Sequence, residues 1–97
     1  MKIKVTQKDI DKGIRSSHCY CPIAHAFNRA VKNNNECDSY VRTNDIIYRP
    51  DDKRSRYKLP KEAQKFIEHF DNYRPVEPFS FEIKKVKPLT FRAAALL

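Results

Sequence analysis

Apolar residues recur along this chain at two periods. From Cys21 to Val31 (CPIAHAFNRAV), Ile23, Ala24, Phe27, Ala30 and Val31 fall on one stripe of a helix, and His25, Asn28, Arg29 and Lys32 fall on the other. From Pro60 to Tyr73, Ala63, Phe66, Ile67 and Phe70 share a face, with Lys61, Glu62, Lys65, Glu68 and His69 on the wet side. Elsewhere the spacing is two. Lys2 to Val5, Ser39 to Thr43, Ile46 to Arg49, Ser55 to Leu59 and Pro78 to Val86 read as strands, the last with a slip of phase between Ile83 and Val86.

The residues between these runs supply starts and stops. Thr6 stands three residues before Asp9, the spacing of a capping box, so a short helix carrying Ile10 and Ile14 follows the first strand, with Gly13 letting the chain turn. Pro22 suits a first helical position, which leaves Cys21 as a weak cap. Asn33 to Asn35 end that helix, and Asn72 and Pro75 end the later one. Asn44 and Asp45, two residues that tolerate positive φ, predict a two-residue hairpin turn, and Pro50, Asp51 and Asp52 a second turn. The predicted order is β-α-α-β-β-β-α-β. This is an α+β domain over residues 1–87, a small, mostly antiparallel sheet with two main helices packed on one face. Residues 88–97, ending AAALL, form a tail that the sequence leaves open as a docking segment, a partner-binding helix or a disordered end.

Ninety-seven residues suffice for one core and leave little for a deep, walled active site. Charge changes the picture more than size does. Twenty Lys and Arg against twelve Asp and Glu give a formal charge of +8, which favours a nucleic acid, a nucleotide or an acidic protein surface as partner; the competing reading is a solvated basic surface. No run approaches the ~18 apolar residues of a membrane span, so no membrane partner is expected. MKIKVTQKDID has no signal-peptide pattern, and an odd count of three cysteines is unlike a disulfide scaffold; both lead to the expectation of a cytoplasmic protein in a host cell.

Two clusters could carry chemistry. His18, Cys19, Cys21 and His25 are all of metal-binding type, but one residue between the cysteines is the wrong spacing for common zinc sites, and small half-buried cysteines beside surface histidines explain them as well. A nucleophile reading would make Cys21 a thiolate at a helix start with His18 or His69 as base. No orienting residue, oxyanion hole, glycine-rich phosphate loop or paired carboxylates accompany it, so a non-enzymatic protein with no cofactor is expected. The second cluster is richer. Arg49, Lys53, Arg54, Arg56, Lys58, Lys61 and Lys65 fall in one run with Tyr48 and Tyr57 interleaved, cations for phosphates and rings on which an unpaired base could stack. Period two sets Tyr57 opposite Arg54 and Arg56, so it serves the core or a platform equally well.

Two resemblances add to this. Helix, three strands, helix over residues 22–73, with PKEAQKF opening the second helix, resembles a double-stranded RNA-binding domain and implies that Lys61 and Lys65 meet phosphates across a groove. Across most of its length, through KVTQKDIDKGI, CPIAHAF and LPKEAQKFIEHFDNYRPVEPFSFEI, the chain resembles a family of small uncharacterised proteins carried by bacteriophages and other mobile elements. That resemblance implies a binder of a host component, defence machinery included, with no catalytic residues to transfer. Two other functions stay open: an interaction module or homodimer joined through an edge strand or the Phe79 and Phe81 segment, and a sponge that sequesters a signalling nucleotide.

Overall fold

The computed structural model describes residues 1–33, 35 and 37–86; the tail expected over 88–97 lies outside them. The chain opens with strand β1 (Lys2–Val5) and helix α1 (Gln7–Lys12). The capping box forms as predicted: the Asp9 amide donates to Thr6 Oγ1 at 3.2 Å, and the Thr6 amide donates to Asp9 Oδ2 at 2.9 Å. Asp9 is itself buried, with Arg29 Nη1 and Nη2 donating to its two oxygens at 2.9 and 2.7 Å. Burial alone would raise this carboxyl, but the Arg29 fork and the Thr6 donors hold it below its ordinary range.

Gly13 follows α1 without the left-handed turn expected of it, since its φ of −69° suits any residue. A glycine is needed there for a different reason. A Cβ at Gly13 would lie 2.5 Å from Pro22 Cγ and Cδ, so the start of helix α2 (Pro22–Ala30) can approach only a residue with no side chain. Cys21 caps α2 without a side-chain hydrogen bond, as its chemistry predicts. The buried stripe is Pro22, Ile23, Ala24, Ala26 and Phe27, while Ala30 is exposed and Val31 half-buried. The stripe predicted from the sequence runs too far along the helix: its last turn meets α1 and β1 through the polar Arg29, which donates to Asp9 and to the Lys4 carbonyl.

The remaining elements are β2 (Ser39–Val41), β3 (Asp45–Tyr48), a short 3₁₀ turn at Pro50–Asp52, β4 (Ser55–Lys58), α3 (Lys61–Asp71), β5 (Phe79–Glu82) and β6 (Lys85–Val86). All strand pairs are antiparallel, in keeping with the α+β class, but they form two sheets where one was expected: β1-β5 and β2-β3-β4-β6. The last apolar run divides at Ile83 and Lys84. Before the break Phe81 pairs with Ile3; after it Val86 pairs with Arg56, so the slip of phase marks where the chain leaves one sheet for the other. The hairpin differs by one residue. Thr43 and Asn44 form its loop, neither with positive φ, and the Arg42 amide donates to the Asp45 carbonyl at 2.8 Å. Asp45 therefore belongs to β3 and not to the turn.

One core joins the layers. Phe27 of α2 meets Tyr48 and Tyr57 edge-on, at centroid distances of 5.3 and 5.2 Å, on the inner face of the four-stranded sheet. Phe66 of α3 stacks on Phe79 of β5 at 4.9 Å, and Phe79 on Phe81 at 5.3 Å. Of the predicted face of α3, Ala63, Phe66 and Phe70 are buried and Ile67 is half-buried. On the outer face of the four-stranded sheet Tyr40, Arg56 and Lys58 are exposed, while Ile47 and Asp45 are buried among them.

Candidate functional site

Antiparallel register fixes what that outer face carries. Tyr40, Ile47, Arg56 and Val86 sit opposite one another in a row across β2, β3, β4 and β6. A second row follows, with Arg42 beside Asp45 and Asp45 opposite Lys58. Arg49 extends the alternation of β3 and Arg54 leads into β4; with Tyr40, Arg42 and Ile47 they line a shallow cavity of about 240 Å³, closed on one side by Cys37 and Asp38. Arg42, Arg49, Arg54, Arg56 and Lys58 are all exposed. Five cations thus share one face with the carboxylates of Asp45 and Asp38.

Asp45 organises two of those cations. Its side chain is fully buried, Arg42 Nε and Nη2 donate to it at 2.6 and 2.7 Å, and Arg56 Nε donates at 2.6 Å. The Arg42 guanidinium, helped by Arg56, outweighs the effect of burial and pulls the carboxyl from its ordinary 3.8 down to about 2. Because the folded value is the lower one, stability from this group is complete above the unfolded value of 3.8 and is lost as pH falls through about 2. That linkage is worth roughly 2 kcal/mol. An Asp45→Asn variant is expected to be less stable than the parent near neutral pH, and the difference should shrink in acid unfolding curves as pH falls from 4 through 2. A gap that stays constant with pH would contradict this account.

The edge of the sheet is covered by the connector before α2. The Val41 amide donates to the His18 carbonyl at 2.9 Å, His18 Nδ1 bonds the Val41 carbonyl at 2.8 Å, and the His18 ring stacks on Tyr40 with centroids 4.3 Å apart and planes 19° from parallel. A disulfide between Cys19 and Cys37 ties this connector to the segment leading into β2. The pairing corrects the reading of the cysteines as small half-buried hydrophobes, and their count no longer argues for a reducing compartment. Among the described residues no helix is long and apolar enough to cross a membrane.

No known protein family, curated protein or solved structure matches the chain.

The geometry dissolves the His18, Cys19, Cys21 and His25 cluster as a metal site. Cys19 is in the disulfide, Cys21 is buried in the core, and no group of three potential ligands comes together among the described residues. His18, Cys21 and Asp71 do line one cavity of about 250 Å³, but burial pushes the Cys21 thiol up to about 11 against the pull of the first-turn amides of α2. His18 spends Nδ1 on the Val41 carbonyl, and the Asp71 carboxylate accepts from the Ser16 amide at 2.9 Å. The thiolate that a nucleophile reading needs is disfavoured there.

The basic run divides. Arg49 and Arg54 line the outer-face cavity, and Arg56 stands on the same face, held by Asp45. Lys58 and Lys61 border a separate groove of about 500 Å³ together with Lys84 and Lys85. Lys65 lies beside Glu62, His69 and Glu77 around another hollow, and Lys53 is exposed after the 3₁₀ turn. Tyr57 and Tyr48 face Phe27, which makes them core and removes them as platforms. Tyr40, Arg42 and Asp45 were missed. The signal was there in the period of two, but only the true loop at Thr43 and Asn44 brings Arg42 opposite Asp45.

Proposed function

We propose that the outer face of the four-stranded sheet binds phosphate-bearing polyanions, and that the protein acts by that binding with no reaction of its own. One observation carries this reading: Arg42, Arg49 and Arg54 converge on one cavity at the end of a face that continues through Arg56 and Lys58. Guanidinium groups fork onto phosphate oxygens, and a surface of one sign raises the encounter rate with a polyanion. With the resemblance to phage and mobile-element proteins, the polyanion is a nucleic acid of the host cell, and occupying it would serve to antagonise host defence.

The other functions fit the geometry less well. The outer-face cavity of about 240 Å³ falls below the roughly 300 to 1,000 Å³ of sites that enclose small molecules, so a nucleotide sponge would have to use the separate groove of about 500 Å³ between Lys58, Lys61, Lys84 and Lys85. Pairing of two copies through β2 would have to displace His18 from Val41, and Phe81 is buried in the core with Phe79 partly covered by Phe66, which leaves the two-residue β6 and the edges of the β1-β5 pair for such an interface. Salt separates the remaining possibilities. Fluorescence anisotropy of a labelled oligonucleotide is expected to show affinity falling about fifty- to five-hundred-fold between 50 and 200 mM salt, the range that four or five phosphate contacts give from single strand to duplex. Binding unmoved by salt would point to an apolar interface and refute the proposal.

A further inference from the structure

We infer that the polymer held on this face is single-stranded and that one of its bases stacks on Tyr40. The inference rests on the outer face being a polyanion site and names the kind of nucleic acid it takes.

Tyr40 is 41% exposed, and among the described residues it is the tyrosine on this face. One side of its ring is backed by His18, which fixes the ring's plane without covering it. A flat, preset aromatic surface is what an unpaired base requires, since stacking loses least entropy on a ring already held in place. The ring borders the same cavity as Arg49 and Arg54, so a base on Tyr40 sets its own sugar-phosphate beside two guanidinium groups with no ion-pair partner among the described residues, while Arg42 is held to Asp45 and Asp38 stands at the rim. A duplex keeps its base faces stacked inside and presents only backbone and groove edges, to which Tyr40, on the edge strand beside the cations, offers an apolar spot. For a duplex that spot is a gap in the charge; for a splayed base it is the contact.

The rest of the face suits a strand running onward. Arg54, Arg56 and Lys58 follow one another at steps of two residues along β4, about 7 Å each, close to the step between neighbouring phosphates. The cavity is too small to enclose a free nucleotide yet large enough for part of one, which is how a polymer is gripped one unit at a time. Stacking accepts every base, so recognition would be of single-strandedness and not of sequence.

The test uses the full chain with its disulfide intact and a labelled oligothymidine, compared with a mixed-sequence duplex of equal length at the same salt. The single strand is expected to bind more tightly. Tyr40→Ala is expected to weaken it about five- to a hundred-fold and leave the duplex unchanged, whereas Tyr40→Phe keeps single-strand affinity. Should the alanine variant fail to fold by circular dichroism, Tyr40→Leu, which keeps bulk without a flat ring, gives the same comparison. If Tyr40→Ala leaves the single strand unaffected, or the duplex binds as well as the single strand, the inference is overturned; a continued loss on Arg49→Glu would then keep the polyanion face standing. Binding of neither oligonucleotide overturns both, and competition by polyglutamate as strong as by the single strand would assign the face to an acidic protein.

Discussion

Reversing Arg49 and Arg54 together to glutamate is expected to lower nucleic-acid affinity by two to three orders of magnitude at low salt, with the unfolding midpoint unchanged within error. Both side chains line the cavity, are exposed and have no ion-pair partner among the described residues, so folding does not depend on their charge. Binding should. Each lost phosphate contact flattens the log-log salt slope by about one, and each new carboxylate repels the backbone that the arginine held. Arg56→Glu would be a poor substitute, because it also strips a donor from buried Asp45 and confuses binding with stability. Lys65→Glu is the matched control. It makes the charge change of either reversal alone, on α3 beside Glu62 and Glu77, and compared with Arg49→Glu or Arg54→Glu singly it is expected to cost no more than about threefold through the general field. Equal losses from the two changes would mean that net charge alone drives association, with no defined face.

How far the site could be read from residue order follows from the same comparison. The linear run from Arg49 to Lys65 is cationic throughout, but it passes from β3 through a turn, along β4 and onto α3, and those elements point its side chains in different directions. Charge content was visible, and its division was not. Helix faces and the capping box were legible because their causes lie within a few residues: Phe66 and Phe70 are neighbours by helical spacing, and Thr6 and Asp9 meet across one turn. Features set by distant contacts were not. Gly13 is dictated by Pro22, the split of the last strand by competition between β1 and β4, and the pairing of buried Asp45 by Arg42 at the end of β2 and Arg56 of β4. The break between Ile83 and Val86 shows the intermediate case, where the pattern announces an irregularity and only the partners explain it.

Reducing the Cys19–Cys37 disulfide is expected to destabilise the fold by about 3 kcal/mol, lowering the thermal midpoint by roughly 10–20 °C for a domain of this size. The bridged residues are 18 apart and enclose the whole of α2, so the link removes conformations from the unfolded chain that the open form would have to give up on folding. Native structure should survive reduction, since Ile23, Ala24 and Phe27 stay in the core whether or not the bridge is closed. Thermal unfolding with and without a phosphine reductant measures this, and a Cys19→Ser, Cys37→Ser variant should match the reduced protein and ignore the reductant. Thiol counting gives an independent check: buried Cys21, its thiol raised to about 11, should stay unlabelled in the native oxidised protein and become the single reactive thiol in denaturant. Identical midpoints in both redox states would show that the bridge contributes nothing to stability. The bridge also flanks the binding face, because Cys37 borders the arginine cavity and Cys19 adjoins His18, which backs Tyr40. Loss of the bridge therefore loosens the aromatic platform before it unfolds the domain, and single-strand affinity should fall in the reduced protein at temperatures where its circular dichroism is still native.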